Sequence, residues 1–301
     1  MKVPGGDGAN VFRCGAIAII GRPNVGKSTL LNALVGARVS ITSRKPQTTR
    51  HRIRGILTTQ DAQFVFVDTP GYQIEHRSAL NQAMNRGVGQ AVGEVDCVLL
   101  VVEAGRFLDA DRRLLRLVPS SVPLFLVVNK TDRLSRERLL PYLGDAAAQG
   151  NFAEIVPVSA ARGRGLKELL RTICNYLPEQ PPLFDDDEIT DRDERFLAAE
   201  LIREKLFRHM GDEVPYGSSV VIEKFEETPA LRHIHASIVV DKEGHRPMVI
   251  GAGGERLKRM ASAARLDMQR LFGGKVHLEV WVKVRSGWTN DVRALKNLGY
   301  E

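Results

Sequence analysis

Two alternations run along the chain. Short apolar runs rich in Val, Ile and Phe alternate with stretches whose apolar residues recur at helical spacing. Over residues 13–177 the runs predict strands at 13–20, 52–58, 63–68, 96–102, 122–128 and 153–157. The intervening periodicity predicts helices at 27–36, 77–92, 109–118, 135–149 and 165–177. Strands spaced by helices form a mainly parallel sheet covered on both faces. Only Thr59-Gln60-Asp61-Ala62 separates 52–58 from 63–68. So short a link makes a hairpin, which sets one strand antiparallel. Ligands of such sheets sit beyond the carboxyl ends of the strands.

The pattern breaks at Leu177-Pro178-Glu179-Gln180-Pro181-Pro182-Leu183-Phe184, followed by Asp185-Asp186-Asp187-Glu188. Proline forbids continued helix and stiffens the chain, so 179–190 reads as a linker between domains at 12–178 and 191–301. The second domain opens with a helix at 191–210 and strands at 218–225 and 234–241. Helical segments at 244–250 and 255–272 flank a glycine loop, and 276–284 alternates with period two as a half-buried strand does. This α-β-β-α-α-β order implies a small α+β domain. There are no internal repeats.

Composition changes the picture little, charge more. Length allows about two domains, and no apolar run approaches the roughly 20 residues of a membrane span. Residues 1–10 are expected to be disordered, without the apolar core of a signal peptide. Cys14, Cys97 and Cys174 lack metal-ligand spacing and read as reduced structural cysteines of a cytosolic protein. Net charge is +7; residues 245–300 hold 11 Lys+Arg against 4 Asp+Glu. A local basic stretch suits nucleic acid, with a solvated surface as the alternative.

Three segments at predicted strand ends carry chemistry. Gly21-Arg22-Pro23-Asn24-Val25-Gly26-Lys27-Ser28-Thr29 has G-x-x-x-x-G-K-[ST] spacing between strand and helix. Its glycines let backbone N–H groups, Val25 included, turn toward phosphate; Lys27 reaches the β- and γ-phosphates, and the Ser28 hydroxyl takes Mg²⁺. Asp68-Thr69-Pro70-Gly71 offers a carboxylate for Mg²⁺ and the Gly71 N–H for the γ-phosphate. In Asn129-Lys130-Thr131-Asp132, the carboxylate of Asp132 accepts guanine N1–H and N2–H₂ as a pair; adenine presents no such pair. Asn129 bridges to the phosphate loop, the Lys130 stem covers the base, and backbone N–H groups of Ser159 and Ala160 meet guanine O6.

This set resembles that of translation-factor-type small GTPases. Ser43-Arg44-Lys45-Pro46-Gln47-Thr48-Thr49-Arg50-His51 resembles the first switch of the Era family. By motif position the resemblance makes Thr49 the switch ligand of Mg²⁺ and γ-phosphate, with Thr48 as fallback. Six basic residues and no acidic one lie from Arg38 to Arg54, which suits either a solvated loop or RNA contact. Tyr72 stands where many GTPases carry a water-orienting glutamine, and a phenol there is expected only to pack or face solvent. Relatives with Asn at the Asn24 position use K⁺ to stabilise charge, so K⁺ joins Mg²⁺ and GTP/GDP among the implied cofactors. Lys27, Thr49 and Gly71 are the residues expected to act on the γ-phosphate.

Ile250-Gly251-Ala252-Gly253-Gly254 holds a G-x-x-G turn between helical segments, whose glycines admit a sugar-phosphate backbone closely. Arg256, Lys258 and Arg259 follow it, although the loop itself lacks a basic residue that relatives often have. With the end from Trp281 to Tyr300, the Era resemblance covers about 12–301. It implies a Ras-like α/β GTPase domain with a mixed, mostly parallel sheet, then a type II KH domain. It further implies a cytoplasmic monomer that hydrolyses GTP, binds the 3′ region of 16S ribosomal RNA and assists assembly of the small subunit. Peripheral association with the inner face of the plasma membrane belongs to the same expectation. The rivals are an RNA-binding assembly chaperone with an idle nucleotide domain and a small-molecule kinase, which would need an acceptor pocket.

Overall fold

The computed structural model describes residues 11–43, 45–72, 78–211 and 213–300. The disorder expected for residues 1–10 concerns residues outside that set, as does Arg44 of the switch stretch. The first domain holds β1 (Arg13–Ile20), β2 (Ile53–Thr58), β3 (Ala62–Asp68), β4 (Cys97–Glu103), β5 (Leu124–Asn129) and β6 (Glu154–Pro157) in the order β2-β3-β1-β4-β5-β6. Every pairing is parallel except β2 with β3, as the short link requires. The helices are α1 (Lys27–Val35), α2 (Ala79–Gly93), α3 (Asp109–Leu115), α4 (Arg136–Ala147) and α5 (Leu166–Cys174).

Alternate side chains of each strand enter opposite cores. Ile17, Ile19, Leu99, Val101, Phe125 and Val127 pack with Leu30 and Leu34 of α1 and Leu169 and Ile173 of α5. Ala18, Ile20, Leu100, Val102 and Leu126 pack with Val88 and Val92 of α2, Leu114 of α3 and Ala146 of α4. Each such Val, Leu, Ile or Phe side chain contributes roughly 1.5–3 kcal/mol by burial, and burial on both faces explains why the strands read as unbroken apolar runs. Two helices end earlier than their periodicity. Past α3 and α5 the bonds tighten, from Val118 N to Leu115 O and from Leu177 N to Cys174 O, so the apolar pattern outlasts the α-helix.

The 179–190 segment lies along the first domain. Ile56 N–H donates to Ile189 O, and Gln63 Oε1 accepts from the N–H groups of Leu183 and Phe184. The second domain follows as α6 (Glu194–His209), α7 (Glu213–Tyr216), β7 (Ser218–Glu227), β8 (Leu231–Val240), α8 (His245–Ile250), α9 (Glu255–Phe272), β9 (Lys275–Val284) and α10 (Val292–Asn297). Its sheet runs β7-β8-β9, with β7 antiparallel and β9 parallel to β8. α6 and α9 close one core through Leu201, Leu206, Met260 and Met268. α7 and α10 were not expected from the pattern.

Within the basic stretch from Arg38 to Arg54, four described side chains are engaged by the protein rather than simply solvated. Arg38 pairs with Glu204 and Asp267, Lys45 donates to Met210 O and Gly211 O, and Arg54 pairs with Asp191. Arg50, only 3% exposed, donates to Pro215 O, Tyr216 O and Ser218 O at 2.8–3.0 Å. These side chains join the two domains. A second joint is apolar: Leu80 and Met84 of α2 meet Trp288, Leu295 and Tyr300, and Tyr300 also stacks on His51 at 4.7 Å.

Candidate functional site

The carboxyl ends of β1, β3 and β5 and the chain after β6 meet at one edge of the first sheet. Register sets Asp68 opposite Ile19 and Asn129 opposite Glu103. The turn after β1 has Gly21 at φ +155 and Gly26 at φ +101. A Cβ on Gly21 would lie 2.5 Å from Val101 O, and one on Gly26 2.5 Å from Asn129 Nδ2. Both the backbone angles and the space therefore demand glycine. Gly26 caps α1 without a side-chain bond, and no acidic residue stands in the first turn. The first N–H groups of α1 remain open donors at the positive end of its dipole, as an anion requires.

Lys27 lies inside the turn, 6% exposed, with Nζ donating to Gly21 O at 2.9 Å and Arg22 O at 3.0 Å. Burial drops its pKa to about 8, against the pull of Asp68. The cavity between this turn and residues 41–49 measures about 60 Å³. A triphosphate enters it only if 41–49 moves outward, and its oxygens would then replace the two carbonyls on Lys27.

Asp68 is fully buried, and burial raises its pKa. Its Oδ2 accepts from Ser28 Oγ at 2.8 Å and Ser40 Oγ at 2.9 Å, while Oδ1 has no partner among the described residues. Thr49 Oγ1 stands 2.7 Å from Ser28 Oγ and 3.4 Å from Asp68 Oδ2. Three hydroxyls around a buried carboxylate with one idle oxygen form a hard donor set that suits Mg²⁺. Thr48 faces elsewhere, 2.7 Å from both Ser43 Oγ and Lys45 O. Ser40 had no signal in the sequence: it belongs to no spaced motif.

A base-binding wall completes the edge. Asn129 Nδ2 donates to Val25 O at 3.0 Å, and its Oδ1 accepts from Lys130 N–H and Ala160 N–H at 2.8 and 3.1 Å. Lys130 Nζ donates to Asn24 O and pairs with Glu103. Asp132 accepts from Ser159 Oγ at 2.5 Å, which holds its carboxyl below the usual range and so ionised. The two backbone donors foreseen for guanine O6 are engaged: Ser159 N–H with Arg164 O, Ala160 N–H with Asn129. A base oxygen would share the Ala160 donor with Asn129. Gly71 abuts Pro23, with 3.0 Å between its would-be Cβ and the proline backbone. Tyr72 packs at the edge of the core that holds Val98 and Leu100 and lines a cavity together with Arg22 and Pro23.

In the second domain, Gly251 ends α8 at φ 75, ψ 174, and a one-turn 3₁₀ segment over Ala252–Gly254 leads into α9. A Cβ on Gly251 would lie 2.7 Å from Arg256 Cβ, whereas those on Gly253 and Gly254 would meet open space. Ala252, Gly253, Lys258 and Arg259 are exposed, with Ile250 and Gly254 half-buried behind them. The Arg256 guanidinium folds back to Met248 O at 2.5 Å, bracing the loop.

Comparison with known proteins agrees with both halves. Residues 16–130 match the model of the 50S ribosome-binding GTPase family and 213–289 that of the KH domain. GTPase Era of Nitrosomonas eutropha is 56% identical over 97% of this chain and 99% of its own length. GTPase Era of Chromobacterium violaceum is 54% identical over 96% and 98%. Among solved structures, Aquifex aeolicus Era bound to GDP·AlF₄⁻ superposes with a TM-score of 0.92 at 37% identity, covering 96% of this chain and 99% of that one. Era in complex with MgGDPNP and nucleotides 1506–1542 of 16S ribosomal RNA gives 0.93 at 37% identity over the same shares.

Proposed function

As the chain belongs to the Era family of GTPases, we propose that it is a GTP-hydrolysing switch that binds the 3′ region of 16S ribosomal RNA and assists assembly of the small ribosomal subunit. The observation that carries this is one chain holding both an uncapped helix behind a glycine turn and a separate, exposed Gly251–Gly254 loop. A relative of the same architecture is known with GTP analogue and 16S RNA together.

Phosphate is held by N–H groups of Asn24 to Thr29 and by Lys27, which gives up Gly21 O and Arg22 O for it. Ser28, Thr49 and Asp68 hold Mg²⁺, which when bound neutralises charge developing on the β- and γ-oxygens. The unpartnered Oδ1 of Asp68 would gain a partner there. The Gly71 N–H faces the γ-phosphate. Asp132 reads guanine as an acceptor-only carboxylate, braced by Ser159, while Asn129 ties the base wall to Val25. The half-buried Tyr72 does not orient water, so intrinsic turnover rests on charge stabilisation. Asn24, exposed at φ 64, is the K⁺ position of the family pattern, and hydrolysis should run faster in K⁺ than in Na⁺.

The RNA backbone lies over Gly251–Gly254, with Lys258 and Arg259 taking phosphates and Arg256 stiffening the loop. The chain acts in the cytoplasm as a monomer, and contact with the inner face of the plasma membrane is peripheral. No helix among the described residues is long and apolar enough to cross a membrane. The deciding experiment is RNA crosslinking with the GTP- and GDP-loaded chain. Enrichment of the 16S 3′ end in the GTP state supports the reading; equal capture of unrelated RNA in both states refutes it.

A further inference from the structure

A second cavity, of about 400 Å³, lies between the two domains and shares no lining residue with the nucleotide pocket. Four guanidinium groups line it, those of Arg50, Arg52, Arg192 and Arg203, against one carboxylate, Glu200. Both oxygens of Glu200 are taken by Arg203, at 2.7 and 2.6 Å. Glu94 and Asp191 approach only the outer pair, at 3.5 Å from Arg52 and 3.7 Å from Arg192. The inner pair is sealed: Arg50 is 3% exposed and Arg203 1%.

These groups are not fully spent on the protein. Arg50 Nε, Arg192 Nε and Arg203 Nη1 are buried donors with no hydrogen-bond partner among the described residues. An unpaired donor on a buried charge is among the costliest arrangements a fold can carry, and such groups are ordinarily matched by an acceptor. Guanidinium forks fit phosphoryl oxygens in shape as well as charge. The volume falls at the small end of ligand pockets, roughly 300–1,000 Å³.

We propose that this interdomain cavity binds a small phosphate-bearing anion, with Arg50, Arg192 and Arg203 as its ligands. Pyrophosphate answers three separate donors better than orthophosphate does. The bound anion would span Arg50 of the first domain and Arg203 of α6, and so brace the joint between them. This proposal stands apart from the RNA reading and does not depend on it.

The test titrates pyrophosphate, then orthophosphate, into the full chain saturated with GDP and Mg²⁺, by calorimetry at constant ionic strength and free Mg²⁺. One pyrophosphate should bind per chain, orthophosphate more weakly, with GDP retained. Arg192→Gln and Arg203→Gln should each weaken binding about tenfold or more, while Lys167→Gln on the exposed face of α5 leaves it unchanged. Arg203→Gln strips Glu200 of its partner; should it fail to fold, the more exposed Arg192→Gln decides. Absence of saturable binding, equal binding by Arg192→Gln, or release of GDP by pyrophosphate would each overturn the proposal.

Discussion

Lys27 carries a pH dependence that can be worked out in sign. Burial lowers its pKa to about 8 in the nucleotide-free chain, and bound phosphate favours the ammonium form and raises that value. Nucleotide affinity should therefore be complete below about pH 8 and decline above it, with proton uptake on binding near pH 8.5 and little near pH 6.5. Calorimetry in buffers of different ionisation heat measures the uptake; none at either pH would place Lys27 outside the phosphate site. Lys27→Ala should weaken GTP by about two orders of magnitude or more. Asp132→Asn exchanges an acceptor for a donor opposite guanine N2–H₂. GTP should weaken about 10³-fold while xanthosine triphosphate, whose 2-oxo group accepts, gains. A preference for GTP equal to the parent's would dismiss Asp132 as the base reader.

Among the elements, the turn between α8 and α9 is the most exacting. At φ 75, ψ 174, Gly251 occupies backbone space closed to other residues, and Arg256 Cβ fills the place of its side chain. Gly251→Asp should abolish most RNA affinity while GTP binding persists in the other domain; unchanged RNA binding by the folded variant would mean that this turn is not the clamp. Lys258→Ala should lower the slope of log affinity against log salt by about 0.7–0.9, one phosphate contact. Arg256→Ala is less clean, because its guanidinium also braces Met248 O. The elements of the first domain were legible because strands buried on both faces leave continuous apolar runs, and the glycine turns because no other residue fits them. The role of Arg38–Arg54 was not. The carboxylates and carbonyls that meet Arg38, Lys45 and Arg50 stand about 160 residues or more further along the chain, and spacing carries no trace of them. The packing of Trp288, part of the C-terminal stretch that carries the resemblance, was not legible either, since its neighbours Leu80 and Met84 belong to the other domain.

For the molecule as a whole, Arg50 is a deeply buried tie in the joint between the domains. Arg50→Ala would leave Pro215 O, Tyr216 O and Ser218 O without that donor, at a cost of about 2–4 kcal/mol. Urea unfolding followed by probes in each domain should show the second domain melting earlier than in the parent; coincident, unshifted transitions would show that the apolar contact of Trp288 suffices.

Thr49 and Arg50 are consecutive residues, one at the carboxylate of Asp68 and the other anchored beyond the domain boundary. Their Cα atoms are about 3.8 Å apart, so any displacement of the switch is also a pull on the anchor. Such a joint is a shared ledger: whatever factor GTP lends to RNA affinity, RNA must return to GTP affinity. The chain bound to RNA would then hold its nucleotide by a different grip from the chain free in solution, and cutting the link at Arg50 should move that ratio toward one.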